Sequence, residues 1–217
     1  MPAVLTDEGD RNFAMISKRR LLLWILGFVI VCFGDSLNYT GAVGVAPYEA
    51  VILTLNYLTF IKVGTISIAF NLTLVAGQII GSRKIKLQYI LQIPSGLLQG
   101  VLINFFVYNL FANLPQYMLA RECYMLFGIM ISATGVGLMM VADVIPNPLE
   151  GFCQVISEIL KKDFAKMRQA MDIVFVIFCV GTSLLLHVDF AVREGTVLCA
   201  LIFAPIMGMV MKKFEKI

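Results

Sequence analysis

The 217-residue chain is 59% hydrophobic and only 14% charged, with a formal net charge of +3. Soluble domains hold roughly 25% charged and about 45–50% apolar residues, so a mean hydropathy of +0.88 excludes a water-soluble globule. Uncharged windows such as Val63–Ser82, Leu87–Ala120 and Cys123–Ala142 each reach the roughly 20 residues of a spanning helix. Continuous apolar runs of that kind fit helices rather than barrel strands.

In chain order, residues 1–17 read as a solvated tail containing Asp7, Glu8 and Asp10, without a cleavable signal peptide. The first helix is predicted over Leu21–Leu37, led by Lys18-Arg19-Arg20, with Gly34, Gly41 and Gly44 loosening the chain ahead of Pro47. Pro47–Phe60 is apolar, but about 14 residues make only about 21 Å of helix against a core of about 30 Å. It is expected to be re-entrant or interfacial. Helix two is predicted over Ile61–Gly81, and helix three over Leu87–Leu110 with an interruption at Pro94. Helix four follows over Tyr117–Ala142. A second short segment, Pro148–Lys162, is amphipathic: Leu149, Phe152, Cys153, Ile156, Ile159 and Leu160 share one face. Helix five then runs to about Val188, and helix six covers Gly195–Met211.

With six crossings, Lys18–Arg20, Arg83–Lys86, Lys161–Arg168 and Lys212–Lys216 fall on one side, and only Lys62, Arg121 and Arg193 fall opposite. The positive-inside rule then places both termini in the cytoplasm. The halves overlay with drifting offsets. Gly34 meets Gly135, Pro47 meets Pro148 and Glu49 meets Glu150; further on, Gly77 meets Gly181 and Gly100 meets Gly208. Three crossings per half is odd, so the expected fold is an all-α integral membrane protein. Its six transmembrane helices form two inverted 3+3 repeats, residues 18–112 and 113–217, each with one short helix. Such repeats are a common transporter plan.

Glu49 and Glu150 lead the candidate residues, because an acid in a membrane needs a partner or water. Each also lies in the first turn of a short helix, where the dipole stabilises a carboxylate. Asn147 and Glu150 have capping-box spacing, whereas Ala46 cannot cap through its side chain. Substrate binding is therefore assigned as a hypothesis to Gly44, Ala46, Pro47, Tyr48, Glu49, Asn147 and Glu150, and ion or proton coupling to Asp35, Glu49 and Asn71. Arg168 and Asp172, at i,i+4, read as an intrahelical pair. Gly96-x-x-x-Gly100 and Ala204-x-x-x-Gly208 read as packing faces. The five cysteines are scattered, His187 stands alone, and no metal spacing or phosphate loop occurs. No enzyme activity, cofactor or nucleic-acid partner is expected.

Gly44-Val45-Ala46-Pro47-Tyr48-Glu49, Gly64-Thr65-Ile66-Ser67-Ile68, Gly195-Thr196-Val197 and Pro205-Ile206-Met207-Gly208 resemble the YczE/YyaS/YitT group of bacterial membrane proteins. The likeness covers about Leu21–Lys213, with Ala46-Pro47-Tyr48-Glu49 standing where that group usually has Ser-Pro-Trp-Asp. It implies a multi-pass bacterial plasma-membrane protein and names no substrate. The leading expectation is a small-solute permease, alone or as a homodimer. The alternative is a non-transporting accessory or scaffold for a membrane partner.

Overall fold

The computed structural model describes residues 17–214, so the expected tail lies outside the described residues except for Ser17, whose hydroxyl accepts from the Arg20 amide. Eight α-helices occur among the described residues: α1 Lys18–Gly41, α2 Pro47–Thr59, α3 Val63–Ser82, α4 Leu87–Phe105, α5 Met118–Ala142, α6 Pro148–Leu160, α7 Phe164–Leu186 and α8 Glu194–Phe214. A π-helical turn, Phe106–Leu110, extends α4. Six of the helices are long and apolar enough to cross a membrane; α2 and α6, at 13 residues each, are not among them. The protein is thus an all-helical, multi-pass membrane protein. Its outer surface carries large apolar side chains, among them Leu22, Ile80, Val101, Ile177 and Leu185.

Two local expectations change. Gly34 and Gly41 do not loosen the chain but lie inside α1, which runs a full turn beyond Leu37. Pro94 sits within a continuous α4. A proline removes one donor, and a helix in lipid tolerates this when neighbours re-satisfy the freed groups.

Most helix ends are set by residues that carry no glycine signal. Ala42, Phe60, Arg83, Asp143, Lys161 and His187 each hold φ between 48° and 57° and cap α1, α2, α3, α5, α6 and α7. The left-handed region costs a non-glycine residue roughly 1–2 kcal/mol. The surrounding packing must therefore hold these turns in place.

The centre of the bundle is the antiparallel crossing of α1 and α5. A Cβ on Gly27 would stand 2.8 Å from the Gly135 carbonyl, and one on Gly34 would stand 2.8 Å from the Gly128 carbonyl. Lipid offers helices no hydrophobic drive to associate, so close backbone approach at small residues holds them. The contacts are reciprocal at an offset of 101: Gly27 and Gly34 on α1 correspond to Gly128 and Gly135 on α5. Around this seam each short helix packs on a long one from the other half of the chain, α2 on α7 and α6 on α3. Their N-terminal turns share one apolar cluster, in which Val45, Ala50 and Val51 meet Leu149, Cys153 and Phe175.

Candidate functional site

Two glycine-lined seams position the polar residues. Asp35 lies on α1 one residue after Gly34, at the tightest approach to α5, and its Oδ1 accepts a 2.5 Å hydrogen bond from the Ser132 hydroxyl. Glu49 enters the bundle interior from the first turn of α2. Both residues are buried, at 7% and 6% exposure. A buried acid in a membrane protein needs a partner or access to water, and the Ser132 hydroxyl and the Ala46 amide are the partners the hydrogen bonds show for Asp35 and Glu49. Among the described residues, neither takes part in an ion pair.

The link from α1 to α2 explains how Glu49 gets there. Gly44 holds φ 133°, and a Cβ on it would stand 2.7 Å from the Gly195 and Thr196 amide nitrogens, so the chain passes hard against the start of α8. The Gly195 amide donates to the Val43 carbonyl at 3.3 Å. Pro47 then begins α2 with φ preset and no donor to satisfy. The Ala46 amide donates to Glu49 Oε2 at 3.2 Å, which is the reach-back half of a capping box.

That contact reverses the capping expectation for the two short helices. Asn147 makes no side-chain cap on α6, and Glu150 instead faces Arg168 at 3.9 Å, which also pairs with Asp172 on α7. A guanidinium one helix away competes for the carboxylate more strongly than a backbone amide does. The α6 entry is held from outside. Gln78 Nε2 donates to the Pro148 carbonyl at 3.0 Å and to Gln92 Oε1 at 2.8 Å, while Gln92 Nε2 donates to the Pro146 carbonyl at 3.1 Å.

Asn71 does not join Asp35 or Glu49. Its Oδ1 accepts from the Tyr48 hydroxyl at 2.7 Å, and its Nδ2 donates to Gln99 Oε1 at 3.1 Å. Residues near the starts of the two short helices, Tyr48 and Ala50 on α2 and Leu149 on α6, nevertheless belong to one apolar cluster. Side-chain hydrogen bonds thus link α2, α3 and α4 through Tyr48, Asn71 and Gln99, and separately link α5 to α1 through Ser132 and Asp35.

Two residues escaped the sequence reading, and a third, Arg121, was read only as a side-marking charge. Ser132 and Asn38 sit in apolar helix faces and carry no motif. Arg121 donates from Nε to the Gly41 carbonyl at 2.6 Å and from Nη2 to the Ala42 carbonyl at 3.0 Å, closing the end of α1. A basic residue opposite a helix C-terminus was the available signal.

Residues 18–212 match the family of unknown function DUF6198, and the chain belongs to that family. No curated protein and no solved structure matches the chain. The YczE/YyaS/YitT likeness thus remains one of short motifs.

Proposed function

We propose that this DUF6198 protein is a small-solute transporter of the bacterial plasma membrane, with its site between two inverted halves and Asp35 and Glu49 exchanging the coupling proton or cation. The burial of two acids in the helix bundle, Asp35 at 7% and Glu49 at 6% exposure, carries this reading. An acid that served only as a helix cap could bond the Ala46 amide from the surface, yet Glu49 makes that bond while buried. Intramembrane acids that face the bundle interior are characteristic of ion and proton pathways.

The helix order supports the inverted plan. Long, short, long, long occurs twice, with left-handed caps closing the first three helices each time. Antiparallel α1 and α5 need an odd number of crossings between successive copies, which three spans supply if α2 turns back. The first turns of α2 and α6 contribute to one apolar cluster, and their helix dipoles favour an anionic or polar group of the solute. Rocking of one half against the other across the α1–α5 seam would expose that centre to each side in turn.

The test begins with a metabolite screen for compounds that raise the thermal stability of the purified protein, followed by uptake of those compounds into proteoliposomes. Uptake should fall to background in Glu49→Gln while expression and melting persist. A stoichiometric protein partner on purification, with no uptake and full tolerance of Glu49→Gln and Asp35→Asn, would instead establish the scaffold reading.

A further inference from the structure

We infer that the chain carries two gates, one at each end of the bundle, in which each half clamps the link ahead of the other half's short helix; this rests on the transport reading and assigns its moving parts. The link ahead of α6 contains Pro146 and Pro148, which have no N–H to offer, and side chains of the first half take its carbonyls. Trp24 Nε1 on α1 donates to the Ile145 carbonyl at 3.0 Å, and Gln92 Nε2 on α4 to the Pro146 carbonyl at 3.1 Å. Gln78 Nε2 on α3 donates to the Pro148 carbonyl at 3.0 Å. The link ahead of α2 is held in turn by the second half. Arg121 on α5 bonds the Gly41 and Ala42 carbonyls, and the Gly195 amide of α8 bonds the Val43 carbonyl.

Every one of these bonds crosses between the halves. A bond within one half would survive a rocking motion, whereas a bond across must break at the end that opens. The two clamps lie at opposite ends. Lys86, Pro146, Gly151 and Glu158 line one cavity, which puts the α6 clamp at the end where α3 and α6 finish. Arg121 stands in the first turn of α5, beside the last residue of α1, at the other end.

The α6 clamp is built to release. Its donors are neutral, and hydrogen bonds from a charged donor such as Arg121 are roughly twice as strong. Closing it also strands an acceptor. Gln78 is fully buried, and its Oε1 has no hydrogen-bond partner among the described residues. A Cβ on Gly151 would stand 2.4 Å from that oxygen, so α6 itself is the cover over it. A buried acceptor without a partner is unfavourable, and water satisfies it once α6 withdraws. The cavity beside Gly151, about 30 Å³, has room for a water.

Each clamp also covers a native thiol. Cys153, at 0% exposure, packs with Leu149 behind the α6 clamp, and Cys199, at 4%, packs with Val43 behind the α2 clamp. The experiment is alkylation of the full chain by a membrane-impermeant maleimide, read at both thiols by peptide mass spectrometry. Inside-out vesicles should admit the reagent to Cys153 and intact cells to Cys199. Gly151→Ala sets its Cβ against Gln78 Oε1 and Gln92 Nε2, and should raise the Cys153 rate about tenfold while leaving Cys199 no faster. Arg121→Gln should raise the Cys199 rate about tenfold and leave Cys153 no faster. Both thiols rising together in either variant, or neither responding, overturns the gates. If Gly151→Ala fails to fold, Trp24→Phe decides the α6 clamp, because it keeps a ring against Phe28 and loses the donor to Ile145. Selective, sided opening without any solute uptake would leave the gates standing and sink the transport reading; uptake alongside a joint rise of both thiols would do the reverse.

Discussion

At the scale of single residues, the small side chains are not interchangeable, because some touch backbone and others touch nothing. A Cβ on Gly34 would stand 2.5 Å from the Ser132 amide nitrogen, whereas one on Gly181 would meet nothing within 4 Å. Both glycines lie in spanning helices and both pair with a counterpart in the sequence overlay, so sequence alone gives them equal weight. Gly34→Ala must push α1 away from α5, and overpacking of that kind costs about 1–3 kcal/mol. It should also part Asp35 from Ser132. Gly181→Ala should stay within about 0.5 kcal/mol of the parent. Reversible unfolding in detergent would measure both, and equal effects would mean that the α1–α5 seam is not the structural centre of the molecule.

At the scale of elements, the short helices owe their placement to neighbours rather than to their own sequences. Apolar length and Pro47 and Pro148 at the first helical positions made α2 and α6 legible, and the run lengths made the six long helices legible. The ends were less so, because Ala42, Phe60 and Arg83 look nothing like left-handed caps. The site was half legible. Asp35 and Glu49 were visible as acids in apolar surroundings. Their hydrogen-bond partners were not, because these depend on the packing of α1 against α5 and on the turn that starts α2. Asn71 makes the same point: periodicity puts it mid-helix, and only packing puts the Tyr48 hydroxyl on its oxygen. Arg121 carries the clearest consequence. Its two bonds close the end of α1 immediately before that turn, and hydrogen bonds from a charged donor contribute about 1.5–3 kcal/mol. Arg121→Gln should lower stability by about that amount and weaken any uptake that depends on Glu49. Arg121→Lys should recover only part of it, since a single ammonium lacks the fork that spans both carbonyls. A melt and an uptake assay on the two variants check this.

For the whole molecule, the deciding question is how many times the chain crosses the bilayer, because the inverted arrangement and the central site both depend on it. The α1–α5 geometry gives one constraint. Gly27 meets Gly135 and Gly34 meets Gly128, so these helices run in opposite directions. If α2 crossed the membrane, the two would be parallel. Charge gives a second constraint. Lys86, after α3, and Glu158, near the end of α6, line one small cavity, and Gly81 packs against Val155 and Ile159. The basic residues that follow α3 and α6, Lys84 and Lys161 among them, therefore lie at one end, which the positive-inside rule predicts to be cytoplasmic. Single cysteines can read this out. Cys32, Cys153, Cys179 and Cys199 are buried, and Cys123 alone is partly exposed, so Cys123→Ser provides the background. In intact cells a membrane-impermeant maleimide should label Asn113→Cys, in the exposed α4–α5 connection, and should spare Lys84→Cys and Lys161→Cys until the membrane is opened. Labelling of Asn113→Cys and Lys84→Cys from the same side would remove the six-crossing topology. The two buried acids would then lie in a bundle with no inverted counterpart against which to rock.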